Sequence, residues 1–360
     1  MFRNRYLWVT AIWAVAVIGK LRFNGLVYGF DYGLFQPDGA RYSFQTLQFM
    51  GTPRIDAALK VADWYQSHSF KLRDLDFRIL IDPESPGYAL VKTRVIYPLL
   101  CVPFVLAFGL WGMLVVPTLS LLVLLLVNQY LAEKNKAPYV GILVSVLLIS
   151  SPTVMRWMMV NTTDPLLTGF FAIVVLILVA LEKRSRFGIL PGFLFVGVII
   201  TSFTRFCLPI WLAVGLYFFV VKKMRLALLI TFTALLASLP ALLTSAEHAR
   251  NVSAKDSSIL TQAVYFPLTA FKVLFVEFAQ LLVLDKILLL LIGLSVALAL
   301  THLRKPSTFL FVFVFFAVWL IGSINGTLGV NFRYQLPLLP FMLWNLYTNI
   351  PRRIDLRRNV

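Results

Sequence analysis

The chain has 360 residues, 59% of them hydrophobic and only 14% charged, with a mean hydropathy of +0.83. A soluble domain carries roughly a quarter charged residues, so a soluble globular fold is excluded. The net charge of +17 does not mark a nucleic-acid partner either, because the basic residues fall in short clusters between apolar runs and not on one soluble face.

Apolar runs of about 18 residues recur along the chain, and each is long enough to cross a hydrocarbon core of about 30 Å. Lipid offers no partner for backbone N–H and C=O groups, so such runs must be helical. The fold class is therefore all-α, a single polytopic membrane domain over 1–360 with about ten spans, nine to eleven at the limits. The first run, 6–22, follows Arg3 and Arg5. No small-residue cleavage site is evident after it, which predicts an uncleaved first span. A long segment, 23–111, comes next and holds a helix-like stretch over Asp56–Ser67. Its last part, 95–110, is apolar and opens at Tyr97-Pro98. We expect a helix in or near the membrane interface there, because an eleventh span would set the later basic clusters against Arg3 and Arg5.

The remaining predicted spans are 112–131, 139–158, 165–182, 189–204, 206–221, 226–243, 281–301, 307–322 and 334–350. A second long outer segment covers 244–280, and 351–360 is a basic tail. Six basic segments separate or flank the runs, at Arg3/Arg5, Lys134/Lys136, Lys183/Arg184/Arg186, Lys222/Lys223/Arg225, Arg304/Lys305 and Arg352/Arg353/Arg357/Arg358. With ten spans all six share the side of the N-terminus, and the positive-inside rule makes that side cytoplasmic. The expected location is a cell (inner or plasma) membrane, with both termini cytoplasmic and 23–111 outside.

Acidic residues are sparse near the outer ends of spans. Asp38 stands in Gln36-Pro37-Asp38-Gly39-Ala40-Arg41-Tyr42, with Asp31 shortly before it. Asp164 stands in Asn161-Thr162-Thr163-Asp164-Pro165. A turn at Asp38-Gly39 and a helix cap at Asp164 before Pro165 are the plain structural readings of each. Arg94, Arg156, Arg205 and Arg333 lie at outer span ends or in outer segments, the side that short loops usually keep free of positive charge. Singly, each would snorkel or pair with a carboxylate. As a group they point to an anion site, because the planar guanidinium donates two parallel hydrogen bonds to phosphate. Cys101 and Cys207 lie in apolar stretches and read as buried thiols. His68, His248 and His302 are isolated, and three glycosylation sequons carry no weight in a chain of this size. No phosphate-cradling glycine loop or zinc motif is present, which argues against nucleotide hydrolysis.

Five stretches together resemble the GT-C superfamily of integral membrane glycosyltransferases, in particular the bacterial polyprenyl-phosphate-sugar-dependent type. They are Gln36–Tyr42 with Gly51, Arg94-Val95-Ile96-Tyr97-Pro98-Leu99-Leu100, Thr163-Asp164-Pro165-Leu166-Leu167, Thr204-Arg205, and Arg333-Tyr334-Gln335-Leu336-Pro337-Leu338-Leu339-Pro340. Each is short, and their order, spacing and sidedness carry the resemblance. It departs from the family where many relatives place two acidic residues side by side and this chain has Asp38-Gly39.

The resemblance implies transfer of a sugar from a polyprenyl-phosphate donor to an extracytoplasmic lipid or glycan acceptor, among membrane lipids and without nucleic acid. Asp38 would be the general base. Arg94, Arg156, Arg205, Arg333 and Tyr334 would bind the donor phosphate. Asp164 and Asp31 would orient the acceptor or hold a divalent cation (Mg or Mn), and metal dependence stays open. The competing readings are a transporter-like or non-catalytic protein handling a lipid-linked or anionic solute, and a structural partner in envelope assembly.

Overall fold

The computed structural model describes residues 3–27, 34–35, 37–68, 76–82, 92–183, 189–253, 259–324 and 332–350. All regular secondary structure among them is helical. The helices are α1 (Arg3–Val27), α2 (Pro37–Phe49), α3 (Arg54–His68), α4 (Arg78–Ile81), α5 (Ile96–Phe108), α6 (Val115–Lys134), α7 (Pro138–Ser150) and α8 (Pro152–Met158). They continue as α9 (Thr163–Lys183), α10 (Leu190–Thr204), α11 (Leu208–Val220), α12 (Met224–Ser253), α13 (Ile259–Leu284), α14 (Lys286–Thr301), α15 (Pro306–Ile324) and α16 (Leu339–Asn349). Short 3₁₀ segments, Gly109–Leu114 and Arg333–Leu338, lead into α6 and α16. Cys101 and Cys207 are buried free thiols.

Among the described residues, three stretches are long and apolar enough to cross a membrane, Ile96–Lys134, Thr163–Glu182 and Met224–Leu243. A fourth is added if α7 and α8, bent by 76° at Ser151, form one broken span. The 39 residues of the first stretch are not one straight rod. Gly109 has φ +58, a left-handed conformation that favours glycine. Beyond it Gly112 lies so close to the Phe104 backbone that a Cβ would fall 2.3 Å from the Phe104 carbonyl. The chain therefore reverses within Gly109–Leu114, and α5 doubles back from the course of α6. Thirteen residues rise about 20 Å, less than a hydrocarbon core. α5 packs on α2, where Thr46 Oγ1 donates to Pro98 O at 3.3 Å, and Tyr97 Oη donates to Met113 O at 2.7 Å. The segment 244–280 is largely helical, shared between the end of α12 and most of α13.

α9 is the centre of the packing. It contacts α6, α8, α10, α16 and the Arg333–Leu338 segment. At its C-terminal end the lysines of the basic segments cap helix carbonyls, where the negative end of the helix dipole favours them. Lys134 Nζ donates to Val179 O at 3.1 Å and Lys223 Nζ to Leu181 O at 2.9 Å. Lys305 Nζ does the same for Thr348 O near the end of α16 at 3.1 Å, while Arg5 lies 5.2 Å from the Tyr139 ring centroid. The bundle thus has a lysine-capped end, and both α9 and α16 run from the opposite end towards it.

At that opposite end one carboxylate pins two helix junctions. Asp285, 2% exposed, accepts from Ser151 Oγ, from Thr153 N at 2.9 Å and from Leu288 N at 2.9 Å. It caps α14 and the start of α8 at once, and so holds the bend that aims α8 across the bundle. Asp285→Ala removes the cap of α14 and the acceptor of both Thr153 N and the Ser151 hydroxyl, while Ser151 Oγ still accepts from Val154 N at 3.1 Å, and it should destabilise the protein by roughly 2 kcal/mol. Thermal unfolding in detergent is the check, and an unchanged midpoint would show that the bend does not depend on this carboxylate.

Candidate functional site

Asp38 sits in the first turn of α2, next to Pro37. Proline suits the first helical position and a carboxylate suits the positive end of the dipole, so the local sequence starts a helix here and not a free turn. α2 docks hard on the chain leading into α9. A Cβ at Gly39 would fall 2.1 Å from Asn161 Nδ2, so position 39 has no room for a side chain. Asn161 is itself held, through its backbone N–H to Leu34 O at 3.0 Å and through its side chain to Tyr65 Oη. This close approach favours glycine beside Asp38 at the start of α2.

Arg333 joins the carboxylates of Asp38 and Asp164. Its Nη2 donates to Asp38 Oδ2 and its Nε to Asp164 Oδ2, both at 2.8 Å. The other oxygen of Asp164 pairs with Arg205 Nη1. Thr162 Oγ1 adds a bond to Asp164 Oδ2 at 3.2 Å. Asp164 therefore lies in the first turn of α9 with its oxygens committed to arginines, which decides between the cap and the cluster readings. Arg94 Nη1 donates to Tyr42 Oη at 3.1 Å, and that hydroxyl lies 3.5 Å from Thr163 Oγ1. Tyr334 lies under Arg205, 4.3 Å from guanidinium carbon to ring centroid. Trp157 faces both Arg333 at 5.3 Å and Arg156 at 5.0 Å, so Arg156 reaches the cluster through a shared indole. Seven of the eight residues singled out from sequence thus come together at one end of the bundle. Asp31 lies outside the described residues.

The cluster balances two carboxylates against the guanidiniums of Arg94, Arg205 and Arg333, which leaves it net positive. Burial by itself would raise the Asp38 pKa. Arg333, with Arg94 and Arg205 behind it, outweighs burial and holds the carboxyl below its ordinary value. For Arg205 burial lowers the pKa, and crowding by Arg94 and Arg333 adds to it. Its ion pair with Asp164 keeps the guanidinium protonated. A divalent cation does not fit this donor set. Both Asp164 oxygens and Asp38 Oδ2 pair with guanidiniums whose charge would repel it, and among the described residues no three His, Cys, Asp or Glu side chains converge. An anion with several acceptor oxygens fits: it would take the place of Asp38 on Arg333 while Asp164 still holds Arg205 and Arg333.

Two buried acids escape a reading from sequence. Asp285 holds the bend before α8 and so sets Trp157 against Arg333. Glu277 of α13, 1% exposed, accepts the backbone N–H of Phe332 at 2.5 Å, one residue before Arg333. Phe332 has φ +64, which costs a bulky L-residue about 1–2 kcal/mol. A signal for Glu277 did exist, since a lone acid in the apolar run Val273–Leu284 must find a partner.

No protein-family model matches the chain, and no curated protein or solved structure does.

The two carboxylates differ in exposure, and the cost of losing each should differ with it. The Asp164 side chain is 3% exposed and that of Asp38 is 37% exposed. Asp164→Asn leaves Arg205 and Arg333 buried against a neutral group, a loss of about 3–5 kcal/mol. Asp38→Asn breaks a partly solvated pair, and the expected loss is below about 1 kcal/mol. Folding works in the same direction on pH: the depressed Asp38 pKa contributes stability above the ordinary carboxylate value, lost as pH falls through the lower folded value. Unfolding midpoints of the two variants at neutral pH are the test. Equal losses would mean that Asp38 is as much a structural ion pair as Asp164.

Proposed function

We propose that the protein is a GT-C-like membrane glycosyltransferase. It moves a sugar from a polyprenyl-phosphate donor to a lipid or glycan acceptor on the extracytoplasmic face of a cell membrane. The lysine-capped end and both termini lie in the cytoplasm, and the chain makes about ten crossings, with α2 to α5 at the outer surface. The observation that carries the reading is the convergence of Asp38, Arg94, Asp164, Arg205 and Arg333, from five separate stretches, into one net-positive cluster.

An apolar groove of about 550 Å³ beside the cluster supports the lipid part of the donor. Pro209 and Leu212 of α11, Phe271 and Leu274 of α13, and Phe313 and Trp319 of α15 line it. Pro209 follows closely on Arg205, and the Trp319 ring lies 6.0 Å from that of Phe332, the residue before Arg333. An isoprenoid chain in this groove would bring its phosphate to the arginines.

The reaction follows from the charges. The donor phosphate binds Arg333 and Arg205 and draws Arg333 off Asp38, whose carboxylate then becomes a stronger base. Asp38 takes the proton of the acceptor hydroxyl as that oxygen attacks the anomeric carbon. The bond from the anomeric carbon to the phosphate oxygen breaks, and the electron pair leaves with the lipid phosphate. Arg94, Arg205 and Arg333 meet the added negative charge where water is scarce. Asp164 keeps Arg205 and Arg333 in place.

The bend between α7 and α8 favours a second reading, because broken helices are a device of transporters. A transporter would move a lipid-linked or anionic solute without covalent change.

Membranes holding the protein, supplied with labelled polyprenyl-phosphate sugars, should transfer label to lipid or glycan. Asp38→Asn should cut transfer by at least about a hundredfold. Equal transfer by both proteins would remove Asp38 from catalysis, and vesicle uptake without transfer would favour transport. In the wild type the acid limb of kcat/KM should lie below the ordinary carboxylate value of about 3.9. Arg333→Gln removes the charge that holds the Asp38 pKa down, so the limb should move up. A limb that stays in place would mean that Asp38 is not the titrating base.

A further inference from the structure

The geometry points to Glu277 as a positioning residue that sets Arg333 between the two carboxylates. This rests on the glycosyltransferase reading for its consequence in transfer, but not for its geometry. Arg333 opens the 3₁₀ segment Arg333–Leu338, and the residue before it, Phe332, is fully buried with φ +64. That left-handed residue sets the direction in which Arg333 enters the cluster. A phenylalanine does not hold this conformation by its own preference. Its N–H must also find a partner, because it lies where water does not reach.

Glu277 supplies the partner. Its Oε2 accepts the Phe332 N–H at 2.5 Å, while its Oε1 has no hydrogen-bond partner among the described residues. A buried carboxylate that satisfies one backbone donor and little else is costly, so packing alone does not account for it. Among the described residues, aromatic rings flank this bond. Phe278 stacks on Trp319 with ring centroids 5.5 Å apart, and Trp319 meets Phe332 edge-on. Leu274, one turn before Glu277, and Trp319 also line the apolar groove. The bond between α13 and Phe332 therefore lies between the groove and the cluster. A chain seated in the groove bears on the same helix that fixes Arg333.

Two variants separate positioning from bulk. Glu277→Gln keeps a carbonyl oxygen able to accept the Phe332 N–H, whereas Glu277→Leu keeps size and loses the acceptor. The purified full-length protein is treated with phenylglyoxal, and modification of each arginine is read by mass spectrometry. In the wild type and in Glu277→Gln, Arg333 should stay protected. In Glu277→Leu it should become reactive while Arg94 and Arg205 stay protected. In the transfer assay Glu277→Leu should lower kcat by about a hundredfold with KM little changed, as for a small displacement of a reacting group, and Glu277→Gln should restore it. Protection of Arg333 in Glu277→Leu would overturn the proposal. So would exposure of all three arginines together, which marks general loosening, or failure of Glu277→Gln to restore protection. The modification pattern reads the placement of Arg333 whether or not transfer is seen. A wild type that transfers nothing therefore counts against the glycosyltransferase reading alone.

Discussion

A guanidinium held between two carboxylates from distant parts of the chain sets the terms for the rest of this structure. Arg333 can meet Asp38 and Asp164 together only if three elements keep their places. α2 must lie against the entry to α9, the 3₁₀ segment before α16 must approach from the other side, and Phe332 must turn the chain into the gap. Each condition has its own device. Gly39 gives Asn161 room to pack against α2, Asp285 fixes the bend that brings up Trp157, and Glu277 holds the Phe332 N–H. Burying this much charge is expensive, and a buried ion pair seldom repays its desolvation.

The two ends of the bundle use positive charge in different ways. At one end Lys134, Lys223 and Lys305 reach the last carbonyls of α9 and α16, where flexible ammonium groups suffice. At the other end the cations near Asp38 and Asp164 are arginines, whose planar fork can bond two oxygens at once. Lysine is the residue of a solvated helix end, and arginine that of a site built around carboxylate or phosphate. The apolar groove opens beside the arginine end, next to the turn that carries Arg205. A ligand with an anionic head and an apolar tail matches both features.

Much of the site was legible in the sequence because charge is rare in this chain. Asp38, Arg94, Asp164, Arg205 and Arg333 stood out against apolar surroundings, and the parity of the basic clusters placed them at one end. The all-helical class was legible for the same reason, but the run predicted over 139–158 is broken at Ser151, the run over 281–301 is broken at Asp285, and most of 244–280 is helix. What escaped was set by contact and not by pattern. The reversal at Gly109 depends on the approach of Gly112 to the Phe104 backbone. The bend at Ser151 depends on Asp285, which lies far along the chain. Nothing at Gly39 announces Asn161, whose side chain packs against it. Glu277 was visible as a lone acid, but its partner is a backbone N–H, which no residue type reveals.

The proposed lipid-phosphate site joins the arginine cluster to the apolar groove. Binding of polyprenyl phosphate and of the uncharged polyprenol of equal length to the purified protein tests it directly. The phosphate should bind and the alcohol should bind far more weakly, with the difference largely abolished in Arg205→Gln. Equal binding of the two lipids, or a preference for the phosphate that survives loss of Arg205, would contradict it.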